Sequence, residues 1–87
     1  MNQIIINLTG VAAALLTTFS FVPQFLKIIR TKETKGISPI MIIQIMLGLI
    51  LWIVYGLLRQ DIVIIAANSV GFLIILATLF AYLKYRK

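Results

Sequence analysis

Residues 36–83 read GISPIMIIQIMLGLILWIVYGLL, then RQD, then IVIIAANSVGFLIILATLFAYL. Two uncharged runs of 23 and 22 residues are parted by Arg59-Gln60-Asp61 alone. A helix needs ~20 mostly apolar residues to cross the ~30 Å hydrocarbon core of a bilayer. Each run is long enough for one crossing, and neither is long enough for two. The apolar residues are continuous rather than alternating, which excludes the strands of a transmembrane barrel. A three-residue link forces the two helices to be antiparallel neighbours.

A third uncharged run precedes this pair. Residues 1–26 carry no charge, and no Lys or Arg precedes Lys27. Signal peptides begin with a positive stretch, so this run is expected to stay as a helix. Three helices are expected, over about 4–29, 38–58 and 62–83, in a single transmembrane domain covering 1–87. The whole chain agrees: its 87 residues are 62% hydrophobic and only 11% charged, with a mean hydropathy of +1.13. Soluble domains are ~45–50% apolar and ~25% charged. A water-soluble chain this small cannot bury so much apolar surface in its own core.

What is missing excludes chemistry. There is no Cys and no His, and the acids are Glu33 and Asp61. No set of ligands for zinc or iron can be assembled, so no metal or cofactor is expected. Nucleophilic catalysis with a His or Cys partner is equally out of reach. The two carboxylates fall on opposite membrane faces, and an enzyme is not expected. The net charge of +6 does not call for nucleic acid, because every basic cluster flanks a span, where such residues set orientation and meet lipid headgroups.

Lys27, Arg30, Lys32 and Lys35 occupy the first connection; Lys84, Arg86 and Lys87 form the tail; Arg59 stands alone in the second connection. With three spans, seven of the eight basic residues share one face. The positive-inside rule puts that face in the cytoplasm and the N-terminus outside. Local signals fit. Ser38-Pro39 reads as an N-cap followed by proline at the first helical position. Asp61 suits the N-terminus of the third helix.

Each helix also carries a polar or small face. On the second it is Met41, Gln44, Gly48, Trp52, Tyr55 and Arg59. On the third it is Asp61, Ile64, Asn68, Gly71, Ile75, Thr78 and Tyr82. On the first it is Gly10, Ala13, Thr17, Ser20 and Gln24. Small residues on such faces serve close helix packing. Asn68 and Trp52 ask for more. An amide inside the membrane must find partners or water, and membrane Trp favours the interface rather than the interior. Trp52 lies seven residues before Arg59 and Asn68 seven after Asp61, so both sit ~10 Å below the outer turn. An indole face and a carboxamide at one level suit a polyhydroxylated ring, whose C–H face stacks while its hydroxyls bond the amide. Packing alone is the competing reading for both. Pro23 removes the hydrogen bond to the Phe19 carbonyl and weakens the first helix near its cytoplasmic end; it serves either shape or a hinge at the inner mouth. Three helices are too few to enclose a solute path, whereas a parallel homodimer gives six and brings two copies of Trp52 and Asn68 together.

Phe21-Val22-Pro23-Gln24 followed by Lys27, Ile28 and Arg30 resembles the PQ-loop motif. Thr34-Lys35-Gly36-Ile37-Ser38 follows at the usual distance, and Leu51-Trp52-Ile53-Val54-Tyr55-Gly56 with Ala67-Asn68 completes the pattern. Over nearly its whole length the chain is similar to the bacterial SemiSWEETs, half-size relatives of the SWEET sugar transporters, which are built from parallel repeats. The resemblance implies an all-α, three-helix bundle with the third helix between the first two. It also implies a symmetric homodimer in the bacterial cytoplasmic membrane that moves sugar by alternating access. It makes Trp52 and Asn68 the sugar pocket, Tyr55, Arg59 and Asp61 the outer gate, Met41 and Gln24 part of the inner gate, and Pro23 the proline tied to the rocking motion.

Proton-driven carriers usually hold ionisable groups within the membrane. The spans here have none in their centres, so facilitated diffusion of mono- or disaccharides is expected. Two rivals stand beside it: a PQ-loop carrier of another small solute such as an amino acid, and a small helper or pore subunit.

Overall fold

The computed structural model describes residues 3–86. Lys87, counted above in the basic tail, lies outside the described residues. Three helices account for almost all of them: α1 (Gln3–Thr31), α2 (Pro39–Arg59) and α3 (Ile62–Tyr85). All three are long and apolar enough to cross a membrane. The molecule measures 50 × 21 × 15 Å, and its long dimension exceeds the ~40–45 Å of a bilayer with its headgroups.

The helices begin and end where side chains satisfy their free backbone groups. Ser38 Oγ accepts a hydrogen bond from the Met41 N–H at 3.2 Å, and Pro39 occupies the first turn. Asp61 Oδ1 accepts from the Val63 and Ile64 N–H groups at 3.0 and 3.2 Å. Between these caps the chain reverses through Gln60, whose φ of 55° is left-handed. The Asp61 N–H closes the turn on the Gly56 carbonyl at 2.9 Å. α1 and α3 each run two residues beyond their expected ends, through Thr31 and Tyr85. The basic residues there suit the negative end of a helix dipole, so charge does not stop the helix. α1 also continues unbroken through Pro23.

α3 packs along both α1 and α2, whose own backbones stay more than 8 Å apart, while Phe21 of α1 reaches the core cluster of Ile42, Leu49 and Ile75. The longer first connection permits this order, because it lets a third helix lie between the ends it joins. Two contacts set the register of α2 on α3. A Cβ built on Gly56 would lie 2.9 Å from Ile64 Cγ2, and one built on Gly71 would lie 3.5 Å from Leu49 Cδ2. α1 runs parallel to α3, with Gly10 against Val63 and Phe21 against Gly71.

The core is thin. Ile28, Ile42 and Ile75 are fully buried, joined by Leu49, Ala81 and Thr78, whose hydroxyl bonds to the Ile74 carbonyl at 2.9 Å. Leu58, Leu16 and Ile40 are 80%, 77% and 76% exposed. A surface this apolar is a surface for lipid and for other membrane helices.

Candidate functional site

A groove of about 550 Å³ runs along α3, with α1 as one wall and α2 as the other. Ile64, Ala67, Asn68 and Gly71 of α3 form its floor. Gly10, Ala13, Thr17 and Phe21 line the α1 wall, and Leu49 and Trp52 the α2 wall. It starts near the α2–α3 turn, at Asn7 and Asp61, and its lining ends at the layer of Phe21, Leu49 and Gly71.

Trp52 and Asn68 meet in this groove. Gly56 faces Ile64 and Leu49 faces Gly71, so Trp52, midway along that stretch of α2, comes level with Asn68. On α1, Gly10 sits at Val63 and Phe21 at Gly71, which brings Thr17 to this level. The depth expected from counting residues on either side of the turn agrees with this register. Trp52 is 53% exposed and its ring meets the Tyr55 ring edge-on, with centroids 5.5 Å apart and planes at 87°. The indole is therefore braced by Tyr55 and otherwise about half open. Asn68 is half-buried, and its Nδ2 donates to the Ile64 carbonyl at 2.8 Å. That bond fixes the rotamer and leaves the carbonyl oxygen as an acceptor toward the groove.

The other expected site residues are placed as follows. Asp61 lines the groove mouth, where one of its oxygens is committed to the α3 cap. Tyr55 is 47% exposed and lies one turn from Trp52. Arg59 is exposed at the last turn of α2 and makes no ion pair within the protomer among the described residues. Pro23, Gln24 and Met41 lie beyond the Phe21 layer, toward the basic end, and none of the three lines the groove. Pro23 instead borders a shallow hollow on α1 with Leu26, Lys27, Arg30 and Thr31. On the α1 stripe, Ser20 turns its hydroxyl back to the Thr17 carbonyl and stays out of the groove.

Thr18, Asn7 and Phe21 line the groove without having been singled out as site residues. Thr18 sits beside Thr17 at the edge of the four-residue steps, and Phe21 stood in the motif as a marker only. The hydroxyls of Thr9 and Thr31 are spent on carbonyls of their own helix. Those of Thr17 and Thr18 make no such bond. No group of His, Cys, Asp or Glu able to hold a metal exists among the described residues.

A family model described as "Sugar efflux transporter for intercellular exchange" matches residues 4–87. The chain belongs to this sugar efflux transporter family, on its SemiSWEET branch. Its relatives include the sugar transporter SemiSWEET of Leptospira biflexa, 55% identical over 64 residues, covering 74% of this chain and 75% of the relative. The SemiSWEET of Bradyrhizobium diazoefficiens is 41% identical over 85 residues, covering 98% of this chain and 99% of the relative. Among solved structures, a bacterial homologue of SWEET transporters superposes with a TM-score of 0.90 at 36% identity, over 93% of this chain and 98% of that one. SemiSWEET in the inward-open conformation gives 0.79 at 44% identity, over 93% and 87%. The SemiSWEET fold thus covers nearly the whole chain, and the protein is a multi-pass membrane transporter rather than an enzyme.

Proposed function

We propose that this chain is a sugar uniporter working as a parallel homodimer in the bacterial cytoplasmic membrane, with its N-terminus outside. The observation that carries the reading is the meeting of Trp52 and Asn68 at one level of a groove of about 550 Å³ whose one charged lining residue, Asp61, stands at the mouth. Ligand sites typically span ~300–1,000 Å³, mostly apolar, with few convergent polar groups. An indole face takes the C–H side of a pyranose, while the Asn68 carbonyl oxygen and the Thr17 and Thr18 hydroxyls offer hydrogen bonds to its edge.

One protomer supplies only half of an enclosure. The groove is open on the side away from α3, and closing it with a second copy excludes lipid from the polar layer. In that dimer Arg59 and Asp61 pair across the subunits beside Tyr55 as an outer gate. Met41 and Gln24 narrow the inner mouth, and Pro23 lets the inner end of α1 swing. Alternating access follows when the two halves rock about the fixed sugar layer.

The test is uptake of radiolabelled sugars by purified protein in liposomes. Saturable flux of a mono- or disaccharide, competed by sugars and not by amino acids, supports the reading. Competition by basic amino acids and not by sugars favours the amino-acid carrier. Absence of flux from the purified protein alone favours a helper subunit, and a non-saturating leak favours a pore.

A further inference from the structure

Gln44 is an exposed amide on a membrane-spanning helix, five residues from the start of α2. It makes no hydrogen bond with any described residue. The buried positions Ile42, Leu49 and Gly56 mark the side of α2 that faces α3. Gln44 lies two residues from Ile42, ~200° around the helix, so it points away from α3. The α1 backbone stays more than 8 Å from that of α2, and this amide has no hydrogen-bonding partner among the described residues of its own protomer.

A primary amide left bare in hydrocarbon is costly, and such groups face polar surroundings. The stripe that holds Gln44 identifies those surroundings. Gln44, Gly48 and Trp52 follow in four-residue steps, and Trp52 lines the groove. A second amide lies near this depth on α1. Gln24 is three residues beyond Phe21 on α1, on the face that also carries Thr17, and it too lacks a hydrogen bond among the described residues. Phe21 and Leu49 both sit against Gly71. Gln24 therefore lies ~4.5 Å past this layer and Gln44 ~7.5 Å past it, on the same side.

We infer that Gln44, close to the level of Gln24, forms a second hydrogen-bonding station on the path, between the Phe21–Leu49–Gly71 layer and the basic mouth. This rests on the sugar-carrier reading and deepens it. A sugar leaving the Trp52–Asn68 layer exchanges one amide for another instead of crossing an apolar constriction unaided. Carboxamides both donate and accept, so the station takes neutral polyols without imposing a charge preference.

The chain has no Cys, so a single Gln44→Cys substitution gives a unique thiol. The experiment exposes that thiol to a small charged methanethiosulfonate added from the cytoplasmic side, with and without a sugar that the unaltered protein transports. Ile43→Cys, one position around the helix, is the control. The Gln44→Cys variant is expected to react much faster than the Ile43→Cys variant, and sugar is expected to slow it. In parallel, Gln44→Met is expected to raise the KM for sugar presented from the cytoplasmic side about three- to tenfold, the scale of one hydrogen bond. Its external KM should stay unchanged, and Gln44→Asn should recover part of the loss. Equal labelling of the two thiols, labelling that sugar does not slow, or an unaltered internal KM each overturns the station. If the unaltered protein moves no sugar at all, the sugar reading itself falls, while labelling of the Gln44→Cys variant still reports whether the stripe is wet.

Discussion

Gly56 of α2 approaches Ile64 of α3 so closely that a Cβ on Gly56 would stand 2.9 Å from Ile64 Cγ2 and 3.2 Å from Ile64 Cβ. The neighbour is a β-branched side chain at its root and cannot swing aside. This contact locks the hairpin register on which the level of Trp52 and Asn68 depends. Gly56→Ala is therefore expected to destabilise the protein by about 1–3 kcal/mol through overpacking. Gly48, with nothing within 4 Å of its would-be Cβ, should accept Ala with no loss of stability. Denaturant titration of the two variants in the same detergent checks the contrast.

Trp52→Ala and Asn68→Ala should each abolish sugar flux while the dimer stays assembled. Neither side chain is part of the buried core, so the loss is one of recognition. Trp52→Phe keeps an aromatic face and should retain measurable flux. Liposome uptake together with cross-linking of the same samples decides the matter. Normal transport by Asn68→Ala would show the amide to be a packing element.

Asp61 has two duties that substitutions can separate. Its Oδ1 caps α3 through the Val63 and Ile64 N–H groups, and its charge is proposed to pair with Arg59 across the dimer. Asn caps as well as Asp does, whereas Ala costs about 1 kcal/mol. Asp61→Asn should preserve thermal stability and alter transport, with Arg59→Gln giving the same transport phenotype. Asp61→Ala should lose both. Wild-type flux in Asp61→Asn would remove the charge from the gating scheme.

Pro23 leaves the Phe19 carbonyl without its helical donor, yet α1 runs through it as one helix. A joint that is weak without being broken suits a part that must bend. Pro23→Ala restores the donor and should slow exchange several-fold while leaving equilibrium sugar binding nearly unchanged. Comparing binding calorimetry with exchange rates makes the distinction.

Energy coupling offers a further check. No acid or base lies in the interior of any span, and proton relays are built from such groups. Uptake should equilibrate sugar without concentrating it, and a protonophore should leave the rate unchanged. Concentrative uptake that collapses with the protonophore would overturn uniport.

Much of this architecture is legible in the chain itself. Uncharged run length and the placement of basic residues are local, one-dimensional properties, and the bilayer imposes a fixed thickness and a charge asymmetry on them. The caps at Ser38 and Asp61 were equally readable, because an N-cap bonds only to residues two or three positions on. Even the shared depth of Trp52 and Asn68 followed from a three-residue turn between antiparallel helices. The roles of the stripe residues divided less cleanly. Ile75 and Thr78 share a face with Asn68 and proved to be core, while Thr18 and Phe21 line the groove from positions that four-residue steps pass over.

By itself, then, the sequence determined how many times the chain crosses the membrane, where each helix starts, and which residues lie at which depth. The order with α3 between α1 and α2 was reachable only through the family resemblance and is seen in the packing; the tertiary structure decided that Thr17, Trp52 and Asn68 close on one groove. The reason is that lipid tails and neighbouring helices are alike in being apolar. Hydropathy therefore cannot tell a face that meets lipid from one that meets protein. That choice is made by shape, at contacts such as Gly56 on Ile64 and Phe21 on Gly71, which exist only once the helices are side by side.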